Sequence, residues 1–262
     1  MSTPIVTLTT DFGQSDSYVG AMKGVILGLC PEATLVDICH EIHPQAVRQA
    51  AYVLSTAIPY FPPGTVHLVV VDPGVGSQRR PIVVQSGRAL YVAPDNGVLS
   101  LGLRQDPAHL AIHLIEPAYR LSQISATFHG RDIFAPAAAH LACGSDPSQM
   151  GEPISLSDLC ALPTIEPQQQ ADGTWLGEIL HIDHFGNLIT NFQIPEPQSS
   201  FAVTVAQQRI DKLSRTFADV GPGELVAYVG SGDHLEIAVR EGNAARWLRL
   251  GVGDPVQVVG LP

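Results

Sequence analysis

Residues 5–31 read IVTLTTDFGQSDSYVGAMKGVILGLCP, and the order of signals within them decides the fold class. The apolar, β-branched run 5–9 predicts a short buried strand. After a polar loop, Tyr18, Val19, Met22, Val25, Ile26 and Leu29 recur at helical spacing until Pro31 stops them. The next stretch repeats this strand, loop and helix unit. Residues 34–38 read as a strand, and Ala50, Val53, Leu54 and Ala57 carry a helical pattern. Pro62-Pro63-Gly64 then leads into the apolar strand 66–71. Strands alternating with helices imply an α/β domain, Rossmann-like, around a mostly parallel sheet.

Working outward, 81–84 and 90–93 read as further strands joined by a turn at Gly87 and closed by Pro94-Asp95-Asn96-Gly97. Ile133, Phe134, Ala137, Ala138 and Leu141 mark a helix that begins just after His129-Gly130. From 151 to 173 the composition turns to Pro, Ser and Gln without periodicity. The expected division is therefore a first domain over 1–160, a linker over 161–173 and a second domain over 174–262. In the second, 176–182, 188–192, 201–205, 225–229, 235–239 and 255–259 are strand-like, with one helix near 244–250. Short strands separated by Gly, Asn and Asp turns suggest a small antiparallel β-barrel or sandwich. No internal repeat is present.

With 262 residues, 45% of them hydrophobic and 15% charged, the chain can bury a sizeable core. A net charge of -11 leaves no basic field for a phosphate backbone, so nucleic acid is not expected as a partner and a cationic ligand is easier to place. No apolar run approaches the roughly 18 residues that cross a bilayer, so no membrane association is expected. The four cysteines lack CxxC spacing and nothing resembles a signal peptide, which points to the cytoplasm.

In open α/β sheets ligands sit beyond the carboxyl ends of the strands. Two polar clusters fall there: Thr10-Asp11-Phe12-Gly13 with Asp16, and Asp72-Pro73-Gly74-Val75-Gly76 with Arg79. Asp11 suits a turn or helix cap, or a grip on a ribose diol. The second cluster lacks both the Gly-Lys-Ser/Thr ending and the GxGxxG order, so it is a poor phosphate loop. An Asp and an Arg seven apart are, taken alone, usually a surface ion pair. His129, taken alone, is usually structural. Together on strand-end loops, Asp72, Arg79 and His129 suit the orientation and deprotonation of a water, with Arg79 stabilising its hydroxide character.

His40-Glu41-Ile42-His43 and His181-Ile182-Asp183-His184 lack the i, i+4 pair of HExxH, so no metal is expected. No GxSxG elbow supports serine hydrolase chemistry. In the second domain Asp183-His184-Phe185-Gly186-Asn187 reads as a hairpin turn. Turn geometry explains its glycine but not Phe185. An exposed aromatic beside an amide is also a reasonable purine clamp.

Five motifs occur in order: Thr9-Thr10-Asp11-Phe12-Gly13 with Tyr18-Val19-Gly20; Val71 to Gly76; Ala93-Pro94-Asp95-Asn96-Gly97; Thr127-Phe128-His129-Gly130-Arg131-Asp132; and Ile182 to Asn187. Together they resemble the adenosine-forming S-adenosylmethionine hydrolases, or hydroxide adenosyltransferases, which are relatives of the fluorinase and chlorinase. The resemblance implies an N-terminal α/β domain, a C-terminal β-barrel, and a homotrimer with substrate held between one subunit's first domain and its neighbour's second. It implies Asp72, Arg79 and His129 as the water-activating set. Asp11 matches the residue on the ribose hydroxyls, and Asp16 and Asp183 match carboxylates near the methionine ammonium, with Ser231 at that end. Phe185, Asn187 and Phe217 match the adenine pocket. No cofactor is implied, since S-adenosylmethionine is itself the substrate.

The halogenating relatives lack the Asp, Arg and His set and carry a serine where this chain has Gly130, which favours water over halide. Gly230-Ser231-Gly232 lacks the asparagine that often precedes the serine. The expected reaction is in-line displacement at the ribose 5'-carbon by water, with Asp72 and His129 jointly as general base. Two alternatives stand beside it: a halide-using synthase on the same scaffold, and a protein that binds S-adenosylmethionine or a nucleoside without turnover.

Overall fold

The computed structural model describes residues 3–163, 166–194 and 201–260, so residues 164 and 165 of the expected linker lie outside the described residues. The chain forms two compact units, Met1–Leu162 and Pro163–Pro262.

The first unit runs β1 (Ile5–Thr10), α1 (Tyr18–Leu29), β2 (Thr34–Cys39), α2 (Val47–Ala57), β3 (Val66–Val70), β4 (Pro81–Ser86) and β5 (Leu90–Pro94). It continues with α3 (Ser100–Gln105), β6 (Ala108–Leu114), α4 (Ala135–Ala142) and β7 (Gly151–Pro153). Its seven strands are ordered β2-β1-β3-β5-β4-β6-β7. The β2, β1, β3 and β5 side is parallel, as the strand and helix alternation requires. From β5 through β4 and β6 to β7 the pairing is antiparallel. The cause is local: β4 and β5 are joined by three residues, closed by the Ser86 amide donating to the Ala89 carbonyl, and so short a link cannot make a parallel crossover.

Period-two burial shows why helices cover both faces. Along β3, Val66, Leu68 and Val70 enter one core with Met22, Ile26, Phe134 and Ala138. Val69 and, just beyond the strand, Val71 enter the other with Leu54, Ile58 and Leu99. A strand buried on both faces must be apolar throughout, and all five residues of β3 are buried.

The second unit holds β8 (Gln168–Gln169), β9 (Trp175–Ile182), β10 (Leu188–Gln193), β11 (Ala202–Val205), β12 (Gln208–Ile210), β13 (Leu213–Ser214), β14 (Leu225–Val229), β15 (His234–Val239), α5 (Ala244–Leu248) and β16 (Pro255–Val259). The sheet runs β12-β11-β16-β9-β10-β15-β14-β13, with β8 on β9. Only β13 and β14 pair in parallel among the described neighbours. The long strand β9 turns the corner, pairing through Trp175 to Glu178 with β16 and through Ile179 to Ile182 with β10. The sheet thereby wraps, barrel-like, around Ile179, Phe192, Val203, Ile237 and Val258.

The absence of CxxC spacing concealed one pairing: Cys30 and Cys143 form a disulfide, with their Cα atoms 5.9 Å apart and 113 residues apart in sequence. They are the C-cap residues of α1 and α4. Helix packing brings them together, and helix packing has no local signature. Among the described residues, no helix is long and apolar enough to cross a membrane.

Candidate active site

The carboxyl end of β3 delivers Asp72 two residues beyond Val70. The chain must then turn back sharply to enter β4. A compact loop does this: the Val75 amide bonds the Asp72 carbonyl, and the Ser77 amide and hydroxyl both bond the Gly74 carbonyl. Gly76 has φ +76°, and a Cβ there would stand 2.7 Å from the Ala126 carbonyl oxygen. Gly76 therefore serves close packing against the segment that leads to His129, whereas a Cβ on Gly74 would meet Arg79 Cγ at 3.0 Å and Ser77 Oγ at 3.3 Å within the loop itself. The loop returns Arg79 onto Asp72. Its Nε donates to Asp72 Oδ1 at 2.8 Å and Oδ2 at 2.9 Å, and its Nη2 also contacts Oδ2.

His129 lies at the start of an irregular, π-type turn, Gly130–Phe134, that runs into α4. Such widened turns often accompany functional sites. Gly130 allows close approach, here of side chains: a Cβ would meet Met22 Sδ at 3.1 Å and the rings of Phe12 and Phe128 at 3.3 Å. Phe12, Tyr18 and Phe128 form an aromatic trio with centroids 5.1 to 5.9 Å apart. The chain so placed puts His129 Nδ1 2.8 Å from Arg79 Nη2. Asp72, Arg79 and His129, distant in sequence, are brought into one cluster. The Asp72 and Arg79 side chains are only 6% and 9% exposed, so this is no surface ion pair.

The direction of the Arg79 to His129 bond follows from chemistry. A guanidinium only donates, so Nδ1 must accept, and the ring proton sits on Nε2. Burial first, and then the Arg79 charge, hold the His129 pKa below its ordinary value, against the opposite pull of Asp72 and Asp132. His129 is therefore neutral near pH 7 and presents an N–H donor.

Asp11 and Asp16 lie in the loop between β1 and α1, and the other predicted residues belong to the second unit. Asp11, half-buried beyond β1, accepts the Gln45 amide on Oδ2 at 2.8 Å. Asp16 is exposed in the loop before α1. In the second unit Asp183 organises its own turn: Oδ1 accepts the amides of Phe185 and Asn187, and Oδ2 accepts the Asn187 side-chain amide at 2.7 Å. The hairpin reading of this motif thus accounts for Asp183 and for buried Asn187. It leaves Phe185 standing 70% exposed. Phe217 packs on Tyr228 at 4.7 Å between ring centroids, and Ser231 is exposed in the turn between β14 and β15.

Sequence reasoning missed Glu236. It alternates with Leu235 and Ile237, which enter the core, and accepts the Tyr228 hydroxyl. Burial pushes its carboxyl pKa up, the Tyr228 bond opposes this, and nearby Asp183 adds to the rise. A charged residue in mid-strand was the available signal. Among the described residues, no group of three or more His, Cys, Asp or Glu is placed to hold a metal ion.

Residues 6–151 match the model of the SAM hydroxide adenosyltransferase N-terminal domain, and residues 177–257 match that of its C-terminal domain. The chain is 42% identical to the (R)-S-adenosyl-L-methionine hydrolase of Thermus thermophilus, over 97% of this chain and 99% of that protein. It is 28% identical to the fluorinase of Nocardia brasiliensis, over 97% of this chain and 96% of that one. A solved structure of an uncharacterized conserved protein from Thermotoga maritima superposes with a TM-score of 0.89 at 35% identity, covering 98% of this chain and 100% of that one. On its matched domains and on relatives that span its whole length, the chain belongs to the SAM hydroxide adenosyltransferase family.

Proposed function

We propose that the protein hydrolyses S-adenosyl-L-methionine to adenosine and L-methionine, by attack of water on the ribose 5'-carbon. The observation that carries this reading is the partly buried Asp72, Arg79 and His129 cluster, with Arg79 bonded to both of the others. The name of the Thermus relative further supports the (R) configuration at sulfonium as the preferred substrate form.

In the proposed step the water oxygen bonds to C5' as the C5'–S bond breaks. The bonding pair moves to sulfur and neutralises it, so the leaving thioether needs no acid. Arg79 and the Nε2–H of His129 hold the oxygen and stabilise its growing hydroxide character. With Nδ1 already accepting from Arg79, His129 has no lone pair for the departing proton. The joint base expected from sequence therefore narrows to Asp72. Its Oδ1 accepts a single Arg79 bond and keeps a lone pair, whereas Oδ2 takes two. Alignment of the water behind the C–S bond is the principal task.

Asp11 is proposed on the ribose hydroxyls, Asp16, Asp183 and Ser231 toward the methionine ammonium and carboxylate, and Phe185, Asn187 and Phe217 around adenine. We also propose a homotrimer in which neighbouring copies complete each other's sites, no cofactor, and a cytoplasmic setting. In a reducing compartment the Cys30–Cys143 bridge would have to resist, or be dispensable to, the thiol pool.

Incubation with each sulfonium epimer, with and without chloride or fluoride, tests the reading by chromatography and mass spectrometry. Adenosine and methionine from the (R) form, unchanged by halide, are expected. A 5'-halogenated nucleoside would establish the synthase alternative, and tight binding without adenosine would establish the sensor.

A further inference from the structure

A chain of polar contacts in the first unit, buried at one end and exposed at the other, takes no part in the step above. Thr10 is fully buried, and His40 is 2% exposed. Thr10 Oγ1 and His40 Nδ1 are 2.8 Å apart. On the far side of the ring, Nε2 lies 3.0 Å from Asp37 Oδ1, an approach too bent for a full hydrogen bond whose pull is chiefly electrostatic. Asp37 Oδ2 in turn accepts from Lys23 Nζ at 2.6 Å. Burial pushes the Asp37 carboxyl up, but Lys23 and His40 outweigh it and hold its pKa below the usual value.

The polarity of the chain is fixed at its outer end. The negative charge of ionised Asp37 beside Nε2 favours the tautomer with its proton on Nε2, and Nδ1 then accepts the Thr10 hydroxyl proton. That leaves a lone pair on Thr10 Oγ1, and the Phe12 amide donates to it at 3.3 Å. His40 also holds the loop through its backbone, its carbonyl accepting the Gly13 amide at 2.8 Å. A register shift beside Leu8 and Thr9, where β1 meets β2, precedes this contact; such irregularities re-aim side chains at strand ends. Residues 10, 12 and 13 are thus all tied to His40, and Asp11 lies between them.

We propose that Thr10, His40 and Asp37 form a positioning relay that fixes the Asp11 carboxylate for the substrate's vicinal diol. The arrangement resembles a hydroxyl, imidazole and carboxylate triad, but the hydroxyl is fully buried and faces a backbone amide, so it positions and does not attack. The relay rests on the proposed function in one respect, the diol; the fixing of Asp11 does not.

The test is a double-mutant cycle between Thr10→Val, which keeps the shape, and Asp11→Ala, read by calorimetric binding of adenosine and by KM and kcat. Thr10→Val should weaken adenosine and raise KM by about tenfold, with a smaller change in kcat, and should cost less than about twofold once Asp11 is alanine. Binding of 2',3'-dideoxyadenosine, which has no diol, should be unchanged within about twofold, whereas general damage to the fold would weaken it equally. Additive losses, or equal losses for both nucleosides, would overturn the relay. If Thr10→Val does not fold, Asp37→Asn at the exposed end replaces it, with about threefold expected on the same readouts. If wild-type protein neither binds nucleoside nor releases adenosine, the functional reading fails separately. The crystal structure of the variant then decides: loss of the Asp11 to Gln45 amide bond supports the relay, and its retention refutes it.

Discussion

Substitutions at His129 separate a hydrogen-bond donor from a proton acceptor. With Nδ1 engaged by Arg79, Nε2–H holds the attacking oxygen in the proposed step. Deleting one such preorganised donor typically costs about 10²–10³ in turnover, so His129→Ala should lose that much kcat with KM changed by less than about fivefold. His129→Gln supplies an amide that can accept from Arg79 and donate toward the oxygen, yet it cannot act as a base near pH 7. It should recover at least about tenfold of the loss. The assay is the initial rate of adenosine release from the (R) epimer across a substrate range, with thermal melts confirming that both variants fold. A general base would make glutamine as poor as alanine. Equal kcat for the two variants, within about threefold, would refute the donor assignment.

Further outcomes follow from other parts of the molecule. Arg79→Ala leaves a carboxylate that is 6% exposed without its partner, so it should cost about 3 kcal/mol in urea unfolding as well as most of kcat; near-normal kcat would remove Arg79 from the mechanism. Gly76→Ala forces a Cβ toward the Ala126 carbonyl at φ +76°, and should lose about 1–3 kcal/mol together with most activity; a variant as stable as wild type would show that the loop relaxes freely. Buried His67, its Nδ1 on Thr7, has its pKa lowered to about 4 by burial, with Asp106 opposing. Because the unfolded chain binds that proton more tightly, its contribution is intact above pH 6.5. As pH falls from 6.5 to about 4, about 3 kcal/mol is lost. His67→Phe should flatten this part of the stability profile, and an unchanged acid slope would place the sensitivity elsewhere. Cys143→Ser should lower stability by about 2–4 kcal/mol, to the level of wild type in reductant, and reductant should not affect the variant.

The fold was most legible where one pattern served one purpose. The doubly buried strand β3 could only be apolar, and α1 stops at Pro31 because proline cannot continue a helix. Legibility failed where partners lie far apart or elements are short. No pattern assigned α3, whose six residues make under two turns, or β6, whose His109 and His113 interrupt an apolar run. Asp72, Arg79 and His129 were legible only in combination and through the family resemblance, and the bond that sets the His129 tautomer was not legible at all, since only packing of the 72–79 loop against 125–129 creates it. Asp183 illustrates the converse: its residue type suggested a ligand contact, while its carboxylate carries three hydrogen bonds within its own turn. Thr10 and His40 sat inside quoted motifs, yet a contact across two parallel strands has no spacing to reveal it.

In the proposed reaction a water held by Asp72, Arg79 and His129 bonds to C5'. A single turnover of the (R) epimer in ¹⁸O-enriched water, with adenosine analysed by mass spectrometry, measures that bond directly. One ¹⁸O in the 5'-hydroxyl of adenosine, and none in methionine, is the expected result. Unlabelled adenosine, or label found only in methionine, would contradict it.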